Sequence, residues 1–323
     1  SSDWECFDWN ESEFPPSNKV FEVMKSFYRY ERYPDITAKE LKIKLSGYVG
    51  LPTQFIEVYN GSDDALKDII TVFVDRDTRV LSYQPSYTQV NTFITTNTDK
   101  YMKINILDPL GEHSYNFNLC AGVDVVYLVN PNNPTGKLLE VDKIEELVKT
   151  YPDVLFIVDE AYYEFAKTSC CHLVVSHKNL VVTRTFSKAF GLASVRLGYC
   201  MAHPDTLSHI RKIRNGKAVN TLAQLCGIAA LDDLDYLDSR IDEMNDAKKF
   251  FIDNLPHQYH AVDSHTNFVL LKTPDSEKLL NRMKDNKILI RDRSSFDNLQ
   301  NCVRITIGSK KQIIRVLDVI NYA

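Results

Sequence analysis

No Cys-x-x-Cys pair occurs in this sequence, and its seven cysteines (Cys6, Cys120, Cys170, Cys171, Cys200, Cys226 and Cys302) are odd in number. Such a set argues against a disulfide framework and reads as the reduced thiols of a cytoplasmic protein. Cys171-His172 is the one metal-like dipeptide, and no second ligand pair stands at zinc spacing, so no metal site is expected. His-Glu-x-x-His, Gly-x-Ser-x-Gly, the Walker loop and Gly-x-Gly-x-x-Gly are all missing, which argues against zincin, serine-hydrolase, NTPase and dinucleotide-binding readings. There is no apolar run long enough to span a bilayer and no signal-peptide pattern. Basic blocks are lacking too. The net charge of −5, from 38 Lys+Arg against 43 Asp+Glu, points away from nucleic acid and anionic membranes as partners. Internal repeats and low-complexity linkers are not found. The chain begins at Ser1 rather than Met, and the reading leaves open what precedes it.

What is present is an ordinary globular composition, with 44% apolar and 25% charged residues over 323 positions. That supports a substantial core, and the length suggests two domains. Residues 1–18 carry Trp4, Trp9, Phe14 and Pro15-Pro16, the signs of an extended arm packed on something else. Helical spacing runs from Val20 to Tyr30, and Tyr33-Pro34-Asp35 breaks it. A short helix follows at Leu41, Leu45 and Tyr48, closed by Gly47 or Gly50. Phe55–Tyr59 reads as a strand leading into Asn60-Gly61-Ser62-Asp63-Asp64 and an amphipathic helix, with Ser62 expected as its N-cap. Free N–H groups at that helix start would suit an anion. Strands are expected at 80–83, 124–129, 154–158 and 180–182, and a helix between the second and third. That alternation predicts an α/β fold around a mostly parallel sheet. Beyond Asp205 come a helical stretch to Arg214, a long helix over 222–254, strands at 266–271 and 302–307, and a last helix over 312–321. These make a smaller α+β unit. The division expected is a large domain at 30–214, with 1–29 and 215–323 forming the small domain and arm.

The chemistry gathers at strand ends. Parallel strands bring their carboxyl ends to one sheet edge. That edge would carry Asn133, Asp159 and Lys188, with the Tyr87 loop and the Ser62 turn opening on it as well. Each has a plainer reading alone: Asp159 as a helix cap or salt-bridge partner, Lys188 as a solvated lysine. Together they form the set that pyridoxal phosphate requires. Lysine forms the Schiff base, a buried carboxylate keeps the pyridine nitrogen protonated, and amide and phenol groups bind the ring oxygen. Arg196 would clamp the phosphate.

The motifs Asn130-Pro131-Asn132-Asn133-Pro134-Thr135-Gly136, Asp159-Glu160-Ala161-Tyr162 and Ser187-Lys188-Ala189-Phe190-Gly191 resemble those of fold-type I, pyridoxal-phosphate-dependent aminotransferases. Adding Asn10-Glu11, Tyr33-Pro34, Asn60–Asp64, Arg184–Lys188 and Val303–Gly308, the chain is similar over nearly its whole length to the histidinol-phosphate aminotransferase family. The resemblance implies that Lys188 is the Schiff-base lysine and proton shuttle, that Asp159 pairs with the pyridinium, and that Tyr162 and Asn133 bind the phenolic oxygen while Tyr87 stacks on the ring. It implies a phosphate pocket of Ser62, Asp63, Thr185, Ser187 and Arg196. Tyr33 would reach the cofactor phosphate of a neighbouring subunit, which implies a homodimer. Asn10, Asn133, Arg291 and Arg304 would hold substrate, exchanged with glutamate and 2-oxoglutarate. The sequence departs from the family's pattern at Asn10–Pro15, at Asn215–Asn220 and at Ser194, and the first two lie on the substrate side. The expected activity is transamination of a phosphorylated amine such as histidinol phosphate. Decarboxylation of a phosphorylated amino acid of the phosphothreonine or phosphoserine type, and a cofactor-binding regulatory module, are the alternatives. The last would carry a basic DNA-binding domain, which is not seen here.

Overall fold

The computed structural model describes residues 3–107 and 113–321. Seven strands form the large sheet: β1 (Ile56–Tyr59), β2 (Val80–Gln84), β3 (Tyr101–Asn105), β4 (Val125–Val129), β5 (Leu155–Asp159), β6 (Leu180–Thr185) and β7 (Gly198–Ala202). Their order is β1-β7-β6-β5-β4-β2-β3, parallel throughout except β7, which runs antiparallel to both neighbours. This is the α/β architecture around a mostly parallel sheet expected from the alternation of strands and helices, and it is the fold-type I arrangement that the resemblance implies. β3 and β7 went unread in the sequence, β3 because its side chains are mostly exposed and so carry no buried run.

Both faces of the sheet are covered, which is why the strands read as unbroken apolar runs. Val126, Leu128, Phe156 and Val158 face one core, together with α1 (Asn18–Ser26), α2 (Lys39–Val49), α5 (Val141–Thr150) and α7 (Thr221–Leu231). The alternate residues Val125, Tyr127, Val129 and Ile157 face the other, under α3 (Ser62–Phe73), α4 (Gln89–Asn97) and α6 (Pro204–Ile210).

The smaller unit has a four-stranded antiparallel sheet of β8 (His260–Ala261), β9 (Phe268–Lys272), β10 (Arg291–Asp292) and β11 (Cys302–Thr306), ordered β10-β11-β9-β8. Its own core gathers residues of α8 (Leu234–Asp253), α9 (Ser276–Asp285) and α10 (Lys310–Asn321) around Val269, Leu271, Val303 and Ile305. Packing changes from one core to the other within α8, where Ile241 faces the large sheet and Met244 the small one. That point lies after the division expected at 214/215, because α7 is buried against the large domain. The predicted helix over 222–254 is two helices, interrupted at Asp232-Asp233. The first helix ends at Ser26 rather than Tyr30. α2 runs through Gly47 and stops at Gly50, whose left-handed φ of 72° suits glycine.

The N-terminal arm ties the units together. Glu5–Cys6 pairs in parallel with Ile288–Leu289, and Phe7 is buried in the small domain's core. The Asn10 amide donates to Thr306 Oγ1 on β11. The arm thus crosses the mouth of the large sheet on its way to α1.

Candidate active site

Register alone brings the predicted residues to one edge. Val129 pairs with Asp159, Asp159 with Thr183, Thr185 with Gly198, and Gly198 with Tyr59. The two antiparallel pairings of β7 turn β1 to run alongside β6, so the turn after Tyr59 opens at the same edge as Asp159 and Lys188.

At that turn α3 begins with Ser62 itself, and Gly61 is the cap residue at φ 87°. The expected cap bond from Ser62 is not formed, because the helix starts one residue earlier than the sequence suggests. Glycine is required here for two reasons. Its backbone is in the left-handed half of conformational space, and a Cβ would lie 2.5 Å from the Arg196 guanidinium. Gly198 is equally constrained, since a Cβ would strike the Ser62 backbone nitrogen. Arg196 Nη1 lies 3.4 Å from Ser187 Oγ, and Nη2 lies 3.7 Å from an Asp63 oxygen. Thr185 Oγ1 donates to Ser187 Oγ at 2.9 Å and accepts from the Ser187 amide. A helix N-terminus, two hydroxyls and a guanidinium therefore surround one small cradle that no side chain of its own could enter, which suits a phosphate group.

Asp159 is buried at the end of β5. It accepts from Tyr127 Oη at 3.1 Å and from Thr183 Oγ1 at 3.2 Å, with no cation in ion-pair range among the described residues. Burial raises its pKa to about 6, the two hydroxyls oppose the rise, and the Asp63 charge adds to it. A carboxylate held this way is complementary to a cationic ring nitrogen. Tyr87 Oη donates to Asp63 Oδ1 at 2.9 Å, placing the ring beside the phosphate cradle.

Lys188 is half-buried, and its ammonium donates to the Trp9 carbonyl at 2.9 Å. Burial lowers its pKa to about 8, helped by the positive charge of Arg304. The neutral amine needed for attack on a carbonyl is thus far more populated near neutrality than in an ordinary lysine. Tyr162 Oη accepts from Asn10 Nδ2 at 2.8 Å and from Asn133 Nδ2 at 3.4 Å. Asn133 Oδ1 in turn accepts from Arg304 Nη1 at 2.6 Å, while Arg304 Nη2 donates to the Asp8 carbonyl. Tyr162, Asn133, Asn10 and Arg304 therefore form one connected group across the two units, and the Trp9 carbonyl next to Asn10 holds the Lys188 ammonium. Arg304 is no surface residue: it is 4% exposed and pairs with no carboxylate within 4 Å among the described residues.

Two predicted residues stand apart. Tyr33 is 79% exposed and lies under the Lys217 ammonium, away from its own chain's strand ends. Arg291 is exposed, although it sits opposite Arg304 in register. Several residues went unread. Tyr127 and Thr183 hold Asp159. A hydroxyl within a doubly buried strand was the available signal, since such groups need partners. The Asp8 and Trp9 carbonyls left no trace in the sequence. Beneath the site, the buried Arg184–Glu160 ion pair (2.9 Å) joins the ends of β5 and β6, and Glu160 also accepts from the Cys170 amide. It fixes the spacing between the Asp159 and Lys188 strands.

Comparison with known proteins agrees with this geometry. The family model described as aminotransferase class I and II matches residues 5–320. A dihydroxyacetone phosphate transaminase of Campylobacter jejuni is 36% identical over 96% of this chain and 88% of its own length. A histidinol-phosphate aminotransferase of Geotalea daltonii is 31% identical over 95% of this chain and 89% of its own. The crystal structure of histidinol-phosphate aminotransferase from Sinorhizobium meliloti, solved with pyridoxal-5'-phosphate, superposes with a TM-score of 0.89 at 24% identity, covering 98% of this chain and 91% of that one.

Proposed function

The chain belongs to the class I and II aminotransferase family and is a pyridoxal-phosphate-dependent transaminase, and on that premise we propose that it exchanges an amino group between glutamate and a small phosphorylated carbonyl compound. Dihydroxyacetone phosphate is the first candidate, and the ketone that corresponds to histidinol phosphate is the second. The observation that carries this reading is Arg304. It is a buried guanidinium on the small domain, bonded to Asn133 of the large one, with no carboxylate within 4 Å among the described residues. The first candidate rests on the 36% identity to the Campylobacter enzyme, and the second on relatives such as that of Geotalea.

When bound, the cofactor supplies an electron sink for the carbon that gains or loses the amino group. The protein's residues divide the remaining work. Asp159 holds the proton of the pyridine nitrogen. Tyr162 and Asn133 would bind the ring oxygen, Tyr87 would pack on the ring, and Ser62, Asp63, Thr185, Ser187 and Arg196 would hold the phosphate. Lys188 Nζ would carry a proton from the substrate carbon that bears the amino group to the carbon on the far side of that nitrogen, the 1,3 shift that moves the amino group. Asn10 steadies Tyr162. Arg304, with Arg291 at the rim, fixes the substrate's anionic end.

Product analysis by mass spectrometry tests the reading. Dihydroxyacetone phosphate with glutamate, and histidinol phosphate with 2-oxoglutarate, should give the amino-transferred products. Phosphothreonine or phosphoserine, tried with and without 2-oxoglutarate, should lose no carbon dioxide. Carbon dioxide release without any keto acid would establish the decarboxylase alternative instead.

Arg304→Lys is expected to raise the apparent KM for both substrates by about tenfold or more, near ~1.4 kcal/mol each, because lysine cannot reproduce a planar two-donor grip. The visible spectrum of the bound cofactor should not change. Values within twofold of the parent would mean that the anion is held elsewhere.

The active form in this reading is a C2 homodimer. Phe21, Tyr28, Tyr30, Tyr33, Ile36 and Ile213 are exposed, and four of them lie in the segment joining α1 to α2. An apolar cluster of that kind marks an interaction surface. Tyr33 lies within it, as required if it reaches the second subunit's cofactor. A fully active monomer in sedimentation velocity would eliminate the shared site.

A further inference from the structure

Beside Arg304 the small domain carries a second guanidinium that the site described above leaves unused. Arg291 and Arg304 are directly opposite each other on β10 and β11, so their side chains leave the same face of the sheet. The ladder continues one step beyond β10, where the Arg293 amide donates to the Cys302 carbonyl at 2.9 Å. Arg293 is two residues from Arg291 and therefore emerges on that face too. It is half-buried, with its guanidinium 5.8 Å from the Phe296 ring centre. The Nε atoms of both Arg293 and Arg304 are buried and lack a hydrogen-bond partner among the described residues. Neither side chain has a carboxylate within 4 Å among those residues, although Asp292 adjoins Arg293 in sequence. The Asp292 Oδ1 atom instead accepts from the Ser294 amide. Burial, helped by the charges of Arg304 and Arg291 and opposed by Tyr162 and Asp292, depresses the Arg293 pKa to about 9.

Two adjacent guanidiniums with unspent donors are a costly arrangement for a pocket that receives one carboxylate. A carboxylate brings one charge and two oxygens. A phosphate monoester brings nearly two charges and three terminal oxygens. We propose that Arg293 is a specificity-determining residue that, beside Arg304, binds the second charge of a phosphate monoester and so separates phosphorylated substrates from dicarboxylates in the shared pocket. The proposal rests on the functional reading above, which places the substrate's anionic end at Arg304. Glutamate and 2-oxoglutarate need only the Arg304 grip, whereas the phosphorylated partner needs both.

The test uses the cofactor-loaded protein and the variants Arg293→Gln and Arg293→Lys, each first checked for an unchanged cofactor spectrum. Inhibition constants are measured for glycerol 3-phosphate and for glutarate, neither of which can be transaminated. Arg293→Gln should weaken glycerol 3-phosphate by tenfold or more and leave glutarate within threefold. Arg293→Lys, which keeps the charge, should recover part of the loss. Equal weakening of both inhibitors, or of neither, overturns the proposal. These constants do not depend on turnover. If the parent protein fails to transaminate any phosphorylated carbonyl yet shows the selective loss, the proposed reaction fails while the role of Arg293 stands. If it does transaminate one and the loss is not selective, the reverse holds.

Discussion

Lys188→Ala is expected to yield a folded protein that holds pyridoxal phosphate without a covalent bond and turns over roughly a thousandfold or more slowly, since the one residue serves as both nucleophile and proton carrier. The fold should survive because the Lys188 ammonium has a single partner, the Trp9 carbonyl, and lies within reach of the Arg304 charge. Removing it relieves repulsion and leaves one carbonyl to water. In the parent protein, borohydride reduction followed by peptide mapping should find the cofactor on Lys188. The informative control is Lys248, whose pKa burial also lowers to about 8. Its ammonium donates to the Ser264 and Thr266 carbonyls, which tie α8 to the loop before β9, and it should stay unlabelled. A label at Lys248 or any other lysine would refute the assignment. Capture of the cofactor should also quicken as pH rises to about 8 and then level off, since the neutral amine is complete above the lowered pKa. An ordinary lysine would keep gaining up to about 10.4.

Asp159→Asn is expected to cut turnover by roughly a hundredfold or more, the scale on which a preorganised electrostatic partner acts. Its effect on the cofactor-free protein should have the opposite sign. The folded pKa of Asp159, about 6, lies above its unfolded value, so the carboxyl favours the fold while neutral. It costs stability as pH rises from the unfolded pKa through 6. The cost above that range is on the order of 2–3 kcal/mol, discounting nothing for relaxation. Asparagine never ionises, so the cofactor-free variant should melt no lower than the parent at pH 7.5 and show less loss between pH 4 and 6. Calorimetry of both cofactor-free proteins measures this. A variant with near-parental turnover, or one that is much less stable at pH 7.5, would mean that Asp159 serves the fold and not the cofactor.

How far the sequence reached follows from where each signal resides. Doubly buried strands are apolar at every position, so Val125–Val129, Leu155–Asp159 and Leu180–Thr185 were legible with nothing else known, as was the parallel order that brings their ends together. Polar residues at the ends of such runs have few uses, which made Asp159 and Lys188 visible as chemistry. β3 was not legible, because an exposed edge strand carries no such pattern. Nor was the break between α7 and α8, where the apolar helix ends at Asp232-Asp233 and neither glycine nor proline announces it. The helix α7 shows a related limit. Amphipathic spacing says that α7 is buried but not against which sheet.

The site divides the same way. Local chain geometry determined the cradle at the start of α3, since a glycine before a helix start and a serine, threonine and arginine around one strand end suffice to specify it. Only the tertiary structure decided that Arg304 is buried against Asn133, that the arm delivers Asn10 to Tyr162 and the Trp9 carbonyl to Lys188, and that Arg293 stands with Arg304 on one face. Those contacts join residues from opposite ends of the chain. Their formation depends on how two separately cored units dock, and pairing across that distance leaves no periodicity in the sequence for a reader to detect.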